Sequence, residues 1–148
     1  MARRSFLAQL AGLPFLALGA KAEETKKKTL KILMRSSWGT DDATRASFVF
    51  AHGLALADAG HEVQIFLTGD ATYLMHKATS DAIIPIGWPP LSEMRDKVVA
   101  EHIPVFSCGA CSRARGVAEA DLSSWGAKFG NPAIFVSLIE WADRIVSE

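Results

Sequence analysis

The chain has 148 residues, 49% of them hydrophobic and 22% charged, with a formal net charge of zero. That length suits one domain with a core of its own, and the balanced charge gives no sign of a nucleic-acid partner. The lysine run Lys26-Lys27-Lys28 lies in a short polar stretch and reads as a solvated segment.

Residues 1–22 read as an export signal. Arg3-Arg4-Ser5-Phe6-Leu7 opens a basic region, and an apolar stretch follows to Ala20. The stretch has about the length of a signal h-region and falls short of the ~20 residues of a stable membrane span. Adjacent arginines followed by Ser-Phe-Leu, with Gln9, Gly12 and Gly19 diluting the apolar run, fit a twin-arginine signal. Position 8 is Ala, where that signal often has Lys. Ala20-Lys21-Ala22 offers a small-x-small cleavage site. Cleavage there removes three of the 16 basic side chains and none of the 16 acidic ones, leaving a formal charge of −3. The expected location is periplasmic, with residues 23–29 as a polar linker and 30–148 as the domain.

Along the domain, residues 30–35 form a first, mostly apolar strand, and residues 36–41 carry turn chemistry. Thr40 or Asp41 is a candidate cap for the helix predicted over 43–59, with Asp42 supporting its first turn. Ala46, Val49, Phe50, Gly53, Leu54 and Ala57 recur at threes and fours along it, and Gly60 stops it. Residues 62–67 form a second strand and 71–77 a short helix. An apolar, proline-rich segment follows over 78–90, of a kind that usually serves a function or an interface. A helix over 91–101 leads to a third strand over 102–106, then a helix over 112–117 and a loop over 121–130. The last helix opens at Asn131 or Pro132 and runs to about Trp141, before a final strand over 144–147. Strands alternating with helices predict an α/β fold with a parallel sheet covered on both faces. Chemistry in such a sheet lies beyond the carboxyl ends of the strands, where Trp38, the turn from Thr68 and Cys108 all fall.

Cys108-Gly109-Ala110-Cys111 holds the chain's two cysteines. A thiol at a strand end and helix start meets free N–H groups that favour its thiolate, the form that attacks sulfur and binds metal. Four readings follow. Cys108 carries sulfane sulfur as a persulfide; the C-x-x-C pair exchanges dithiol and disulfide; the pair is half of a tetrahedral metal site; or the cysteines are packing residues. The metal reading lacks its other half, because His52, His61, His76 and His102 form no ligand cluster. The first strand is followed by Ser-Ser-Trp-Gly-Thr-Asp, with no dinucleotide fingerprint, and no Walker loop is present, so no cofactor is expected. Trp38, Trp88, Trp125 and Trp141 read as core or subunit interface, with Trp88 and its loop a candidate cover for the cysteine. His52 reads as a packed or surface histidine.

The stretch from Val105 to Val117, Val-Phe-Ser-Cys-Gly-Ala-Cys-Ser-Arg-Ala-Arg-Gly-Val, resembles the DsrE/DsrF-like family of sulfur-relay proteins. Gly60-His61-Glu62-Val63 running into Ile65-Phe66-Leu67, then Gly69 to Leu74, and Ala142 to Val146 resemble that family as well. The resemblance covers residues 30–148; its strength is in the order and spacing of the segments. It implies a flavodoxin-like three-layer α/β sandwich and assembly into a trimer or hexamer, of identical subunits or paralogues. It also implies a sulfurtransferase-like role in which a cysteine takes sulfur from a donor and passes it to an acceptor. Donor and acceptor would be proteins or small sulfur compounds. Cys108 aligns with the carrier; Cys111 falls where some members lack cysteine, and would resolve or protect a persulfide. Arg113 and Arg115 lie near enough in sequence to stabilise an anionic sulfur.

Overall fold

The structure is a computed structural model that describes residues 28–148. The twin-arginine leader expected from the sequence, its expected cleavage site and most of the expected linker lie outside the described residues. Five strands, β1 (Lys31–Ser36), β2 (Glu62–Leu67), β3 (Val105–Cys108), β4 (Lys128–Gly130) and β5 (Arg144–Ser147), make one sheet in the order β4-β3-β2-β1-β5. Every neighbouring pair is parallel. The helices are α1 (Ala43–Asp58), α2 (Lys77–Ala82), α3 (Leu91–Ala100), α4 (Gly109–Ala114), α5 (Glu119–Leu122) and α6 (Pro132–Trp141). This is the flavodoxin-like α/β sandwich.

The strand order dictates where the helices go. From β1 to β4 the chain steps in one direction, so right-handed crossovers stack the intervening helices on one face. The step from β4 to β5 runs back across the sheet and sends α6 to the opposite face. Side-chain alternation in the strands matches this division. Ile32, Met34, Val63, Ile65, Leu67 and Val105 face the larger core with Val49, Phe50, Leu91 and Val98. Leu33 and Phe66 face α6, where they meet Leu138, Ile134 and Phe135 with Phe106 and Cys108 beside them. Alternation along β3 therefore sends Cys108 to the thin side of the molecule, the side closed by one helix.

The helix ends and strands differ from the sequence reading in defined places. Asp42 itself caps α1, its Oδ1 accepting from the N–H groups of Thr44 (3.0 Å) and Arg45 (2.9 Å); Thr40 and Asp41 make no such bond. The third strand starts and ends later than expected, since Ile103 and Pro104 precede β3 and Cys108 is its last residue. The helix after it starts at Gly109, three residues before the expected Ser112. Residues 69–75 form a 3₁₀ turn, and the proline-rich segment begins inside α2. Residues 121–130, expected as loop, contain the end of α5, a 3₁₀ turn and β4. Only three residues pair in β4, too few to show a period of two against a turn-rich background.

Among the tryptophans, Trp125 is core: it is fully buried, its ring centroid lies 4.5 Å from that of Phe50, and its Nε1 donates to the Leu74 carbonyl at 2.9 Å. Trp38 is exposed beneath the Arg45 guanidinium, and Trp88 is exposed with its edge toward His52 and Phe48. His52 stacks on Phe48 and its Nδ1 lies 2.8 Å from Glu148 Oε1, a surface arrangement.

One glycine in β4 is fixed by close approach. A Cβ built on Gly130 lies 2.5 Å from Phe66 Cε2, and the Phe66 ring is buried. Gly130→Ala is expected to lower stability by about 1–3 kcal/mol through overpacking. Phe66→Leu in the same chain should recover part of the loss, as read from denaturant midpoints.

Candidate functional site

Cys108 ends β3 and its Cα pairs with Gly130 at the end of β4. The chain turns at once into α4, so the sulfur sits where strand hydrogen bonding has stopped and the helix has just begun. A buried hydroxyl pair, Ser107 Oγ and Ser112 Oγ at 2.8 Å, closes the loop that holds both cysteines. Gly109 is needed here for space: its Cβ would stand 3.2 Å from the Gly130 carbonyl oxygen and 3.4 Å from Arg113 Nη1. A larger residue would press β4 or Arg113 away from the cysteine.

The Cys108 sulfur is half-buried. Burial by itself pushes its thiol up, because the charged form loses water. The N–H and the thiol of Cys111, the N–H of Ala110 and the nearby Arg113 charge act the other way. Together they outweigh burial and hold the thiol below its ordinary value. Arg113 is itself exposed, so water screens its share.

Cys108 opens on a cavity of about 420 Å³ between the sheet and the start of α6. Arg35 at the end of β1, Phe66, Thr68, Gly130, Asn131, Pro132, Phe135 and Arg113 line it with the cysteine turn. No carboxylate is among these residues. Asn131 caps α6, its side-chain oxygen accepting from the Ile134 N–H at 2.9 Å, which fixes the helix end against the cavity. Cys111 and Trp88 are not among the lining residues. The proline-rich segment instead packs by Trp88 against α1, so it does not cover the cysteine.

The two arginines after the motif have separate tasks. Arg113 faces the cavity. Arg115 turns away and pairs with Asp70, Nη2 and Nε lying 2.7 and 2.9 Å from Oδ1, while its Nη1 donates to the Cys111 carbonyl at 3.2 Å. It clamps the end of the cysteine helix to the turn after β2. Arg35 was not singled out by sequence reasoning; the signal available was a charged residue near the carboxyl end of an apolar strand, on the edge where chemistry gathers. Among the described residues, no group of three or more His, Cys, Asp or Glu side chains is arranged to hold a metal ion.

A model of the DsrE/DsrF-like family matches residues 28–147. The chain belongs to that family. A DsrE/DsrF-like domain thus occupies all but one of the described residues. An uncharacterized protein of Methanopyrus kandleri is 28% identical over 102 residues, which cover 69% of this chain and 80% of that protein. Among solved structures, the ychN protein from E. coli superposes with a TM-score of 0.64 at 17% identity, covering 82% of this chain and 100% of that one. A conserved protein of unknown function from Bacteroides thetaiotaomicron gives 0.59 at 17% identity, covering 80% and 94%. At these identities the superpositions establish the fold alone.

The thiol arrangement has a direct consequence for pH. Alkylation of Cys108 by iodoacetamide should reach half its limiting rate below the ~8.5 of a free cysteine, because a lowered thiol value makes thiolate available at lower pH. Cys111→Ala should move that midpoint upward, since it removes the thiol donor while leaving the backbone N–H. A wild-type midpoint at or above the free value would contradict the hydrogen-bond pattern.

Proposed function

We propose that this protein is a sulfur carrier in which Cys108 accepts sulfane sulfur as a persulfide and passes it to a partner. The observation that carries this reading is the placement of a lowered, half-buried thiol at the mouth of a cavity. A carrier needs one reachable, activated sulfur and room for the sulfur it receives; it needs no metal and no redox cofactor. Membership of the DsrE/DsrF-like family supports sulfur relay at the level of the family.

A second reading gives Cys111 the leading part. Its thiol is among the groups that hold the Cys108 thiol below its ordinary value, and two thiols this close in sequence can close to a disulfide. An exported protein would meet an oxidising compartment in which such a pair rests oxidised. In the carrier reading Cys111 steadies the Cys108 thiolate and resolves or protects its persulfide.

Assembly belongs to the same proposal. One helix closes the α6 face, and the apolar α6 leaves Val136 53% exposed, with Ile145 of β5 46% exposed. Burial of such side chains in a trimer or hexamer would complete that face. Light scattering on the mature chain would return the monomer mass if this is wrong.

Incubation with a persulfide or polysulfide donor, followed by intact mass, tests the carrier. One added sulfur, about 32 Da, is expected on the wild type and absent from Cys108→Ser. Failure of the wild type to gain it, or its persistence in Cys108→Ser, overturns the reading. A reversible loss of two hydrogens with no sulfur gained would favour the disulfide protein instead.

A further inference from the structure

The cavity beside Cys108 holds two cations and no counter-charge. Arg35 and Arg113 both line it, no acidic side chain does, and neither arginine forms an ion pair among the described residues. Two other arginines of the domain are handled differently: Arg115 is matched to Asp70 and Arg95 to Asp81 and Asp96. Arg35 is held in place by its stem and plane rather than by a charge. Its guanidinium carbon lies 5.0 Å from the Phe135 ring centroid, and its Nε is buried with no hydrogen-bond partner among the described residues. A buried N–H without an acceptor costs free energy comparable to a lost hydrogen bond, so Arg35 lines the cavity with hydrogen-bonding capacity that the described residues leave unused.

The rest of the lining sets the body of the ligand. Phe66, Phe135, Pro132, Ala110 and two glycines give apolar walls, with Thr68 and Asn131 as the neutral polar groups. A small, fully hydrated oxyanion would gain nothing from those walls. An organic molecule with an anionic head would use both parts of the cavity. The volume, about 420 Å³, falls in the range of small-molecule sites.

Resting on the reading of Cys108 as a sulfur carrier, we propose that its sulfur donor is a low-molecular-weight organic persulfide bearing a carboxylate, with Arg35 and Arg113 as the residues that hold its anionic head. The transfer balances without outside reagents. The Cys108 thiolate attacks the outer sulfur of R–S–SH and forms the new S–S bond. The old S–S bond breaks, its electron pair leaves on R–S⁻, and Cys108 retains S–SH. R–S⁻ takes a proton from solvent. Arg35, on β1, holds the donor's head from the neighbouring side of the sheet, so it selects the donor without touching the reacting sulfurs.

The probe is S-methylglutathione, an unreactive thioether with two carboxylates, titrated calorimetrically into the full domain. Saturable binding is expected with the wild type and with Cys108→Ala. Arg35→Gln should weaken it about tenfold, the loss of one charge-assisted hydrogen bond. Arg35→Lys should recover part of that, keeping the charge without the planar stacking. Arg113→Gln, on the exposed side of a short helix where folding is not at stake, should weaken it several-fold. A second readout is specificity: Arg35→Gln should slow sulfur loading from glutathione persulfide by a larger factor than loading from inorganic polysulfide, which has no carboxylate to hold. Absence of saturable binding to the wild type, or binding indifferent to both arginines, overturns the proposal even if Cys108 loads. Binding with no sulfur loading from any donor would leave the anion site standing and sink the carrier reading instead.

Discussion

The handedness of strand crossovers governs this molecule. Four strands laid down in one direction put five helices on one face, and the return to β5 leaves the other face to α6 alone. The thick side is a conventional core, with Phe50, Trp125 and the strand residues Met34, Ile65 and Leu67 fully buried. The thin side has a core of three buried residues, Leu33, Phe66 and Leu138. A sheet covered so unequally has spare volume on its thin side, and the strand alternation that makes the thick core also sends Cys108 and Arg35 there.

The cysteine environment follows from that placement in two steps. A strand that ends under an incomplete layer exposes its last residue to a cavity rather than to a packed helix. The turn into α4 then supplies N–H donors at the same point, so the charge on the sulfur is stabilised by the donors of Cys111 and Ala110, with Arg113 adding a smaller share. The cations act farther out. Arg113 faces the cavity from an exposed position, Arg35 closes its far side against Phe135, and Arg115 serves the scaffold by joining α4 to Asp70. Three arginines within one neighbourhood thus divide between the thiol's surroundings, the cavity wall and the frame.

Much of this was legible in the sequence. The long apolar rhythm of α1, the two six-residue strands and Pro132 in the first turn of α6 are local signals, and each element stands where its signal put it. The cysteine at a strand end was visible for the same reason. What escaped was decided by partners distant in sequence. β4 exists because Lys128, Phe129 and Gly130 pair with β3, not because three residues prefer a strand. Arg35 becomes part of the site because β1 and β3 flank β2 and because α6 is folded back over them, bringing Phe135 beneath its guanidinium. The separation of Arg113 from Arg115 is a matter of helical angle and of Asp70, forty-five residues earlier. Trp88 was attractive as a cover for the cysteine by hydropathy, yet the α1 face offered Phe48 and His52 as aromatic neighbours.

The buried bond between Ser107 and Ser112 spans both cysteines and ties the last turn of the strand to the first turn of the helix. It makes the cysteine loop a closed ring of short perimeter, with little freedom to breathe. Any group attached to Cys108 must therefore be accommodated by rotation about the side chain rather than by movement of the chain. A sulfur added there lies about 2 Å farther out and swings on a fixed pivot, so its reach is an arc drawn through the cavity. Phe66, Phe135 and Asn131 are among the walls of that cavity, and a change in a wall the cargo meets would alter where it rests without altering the pivot.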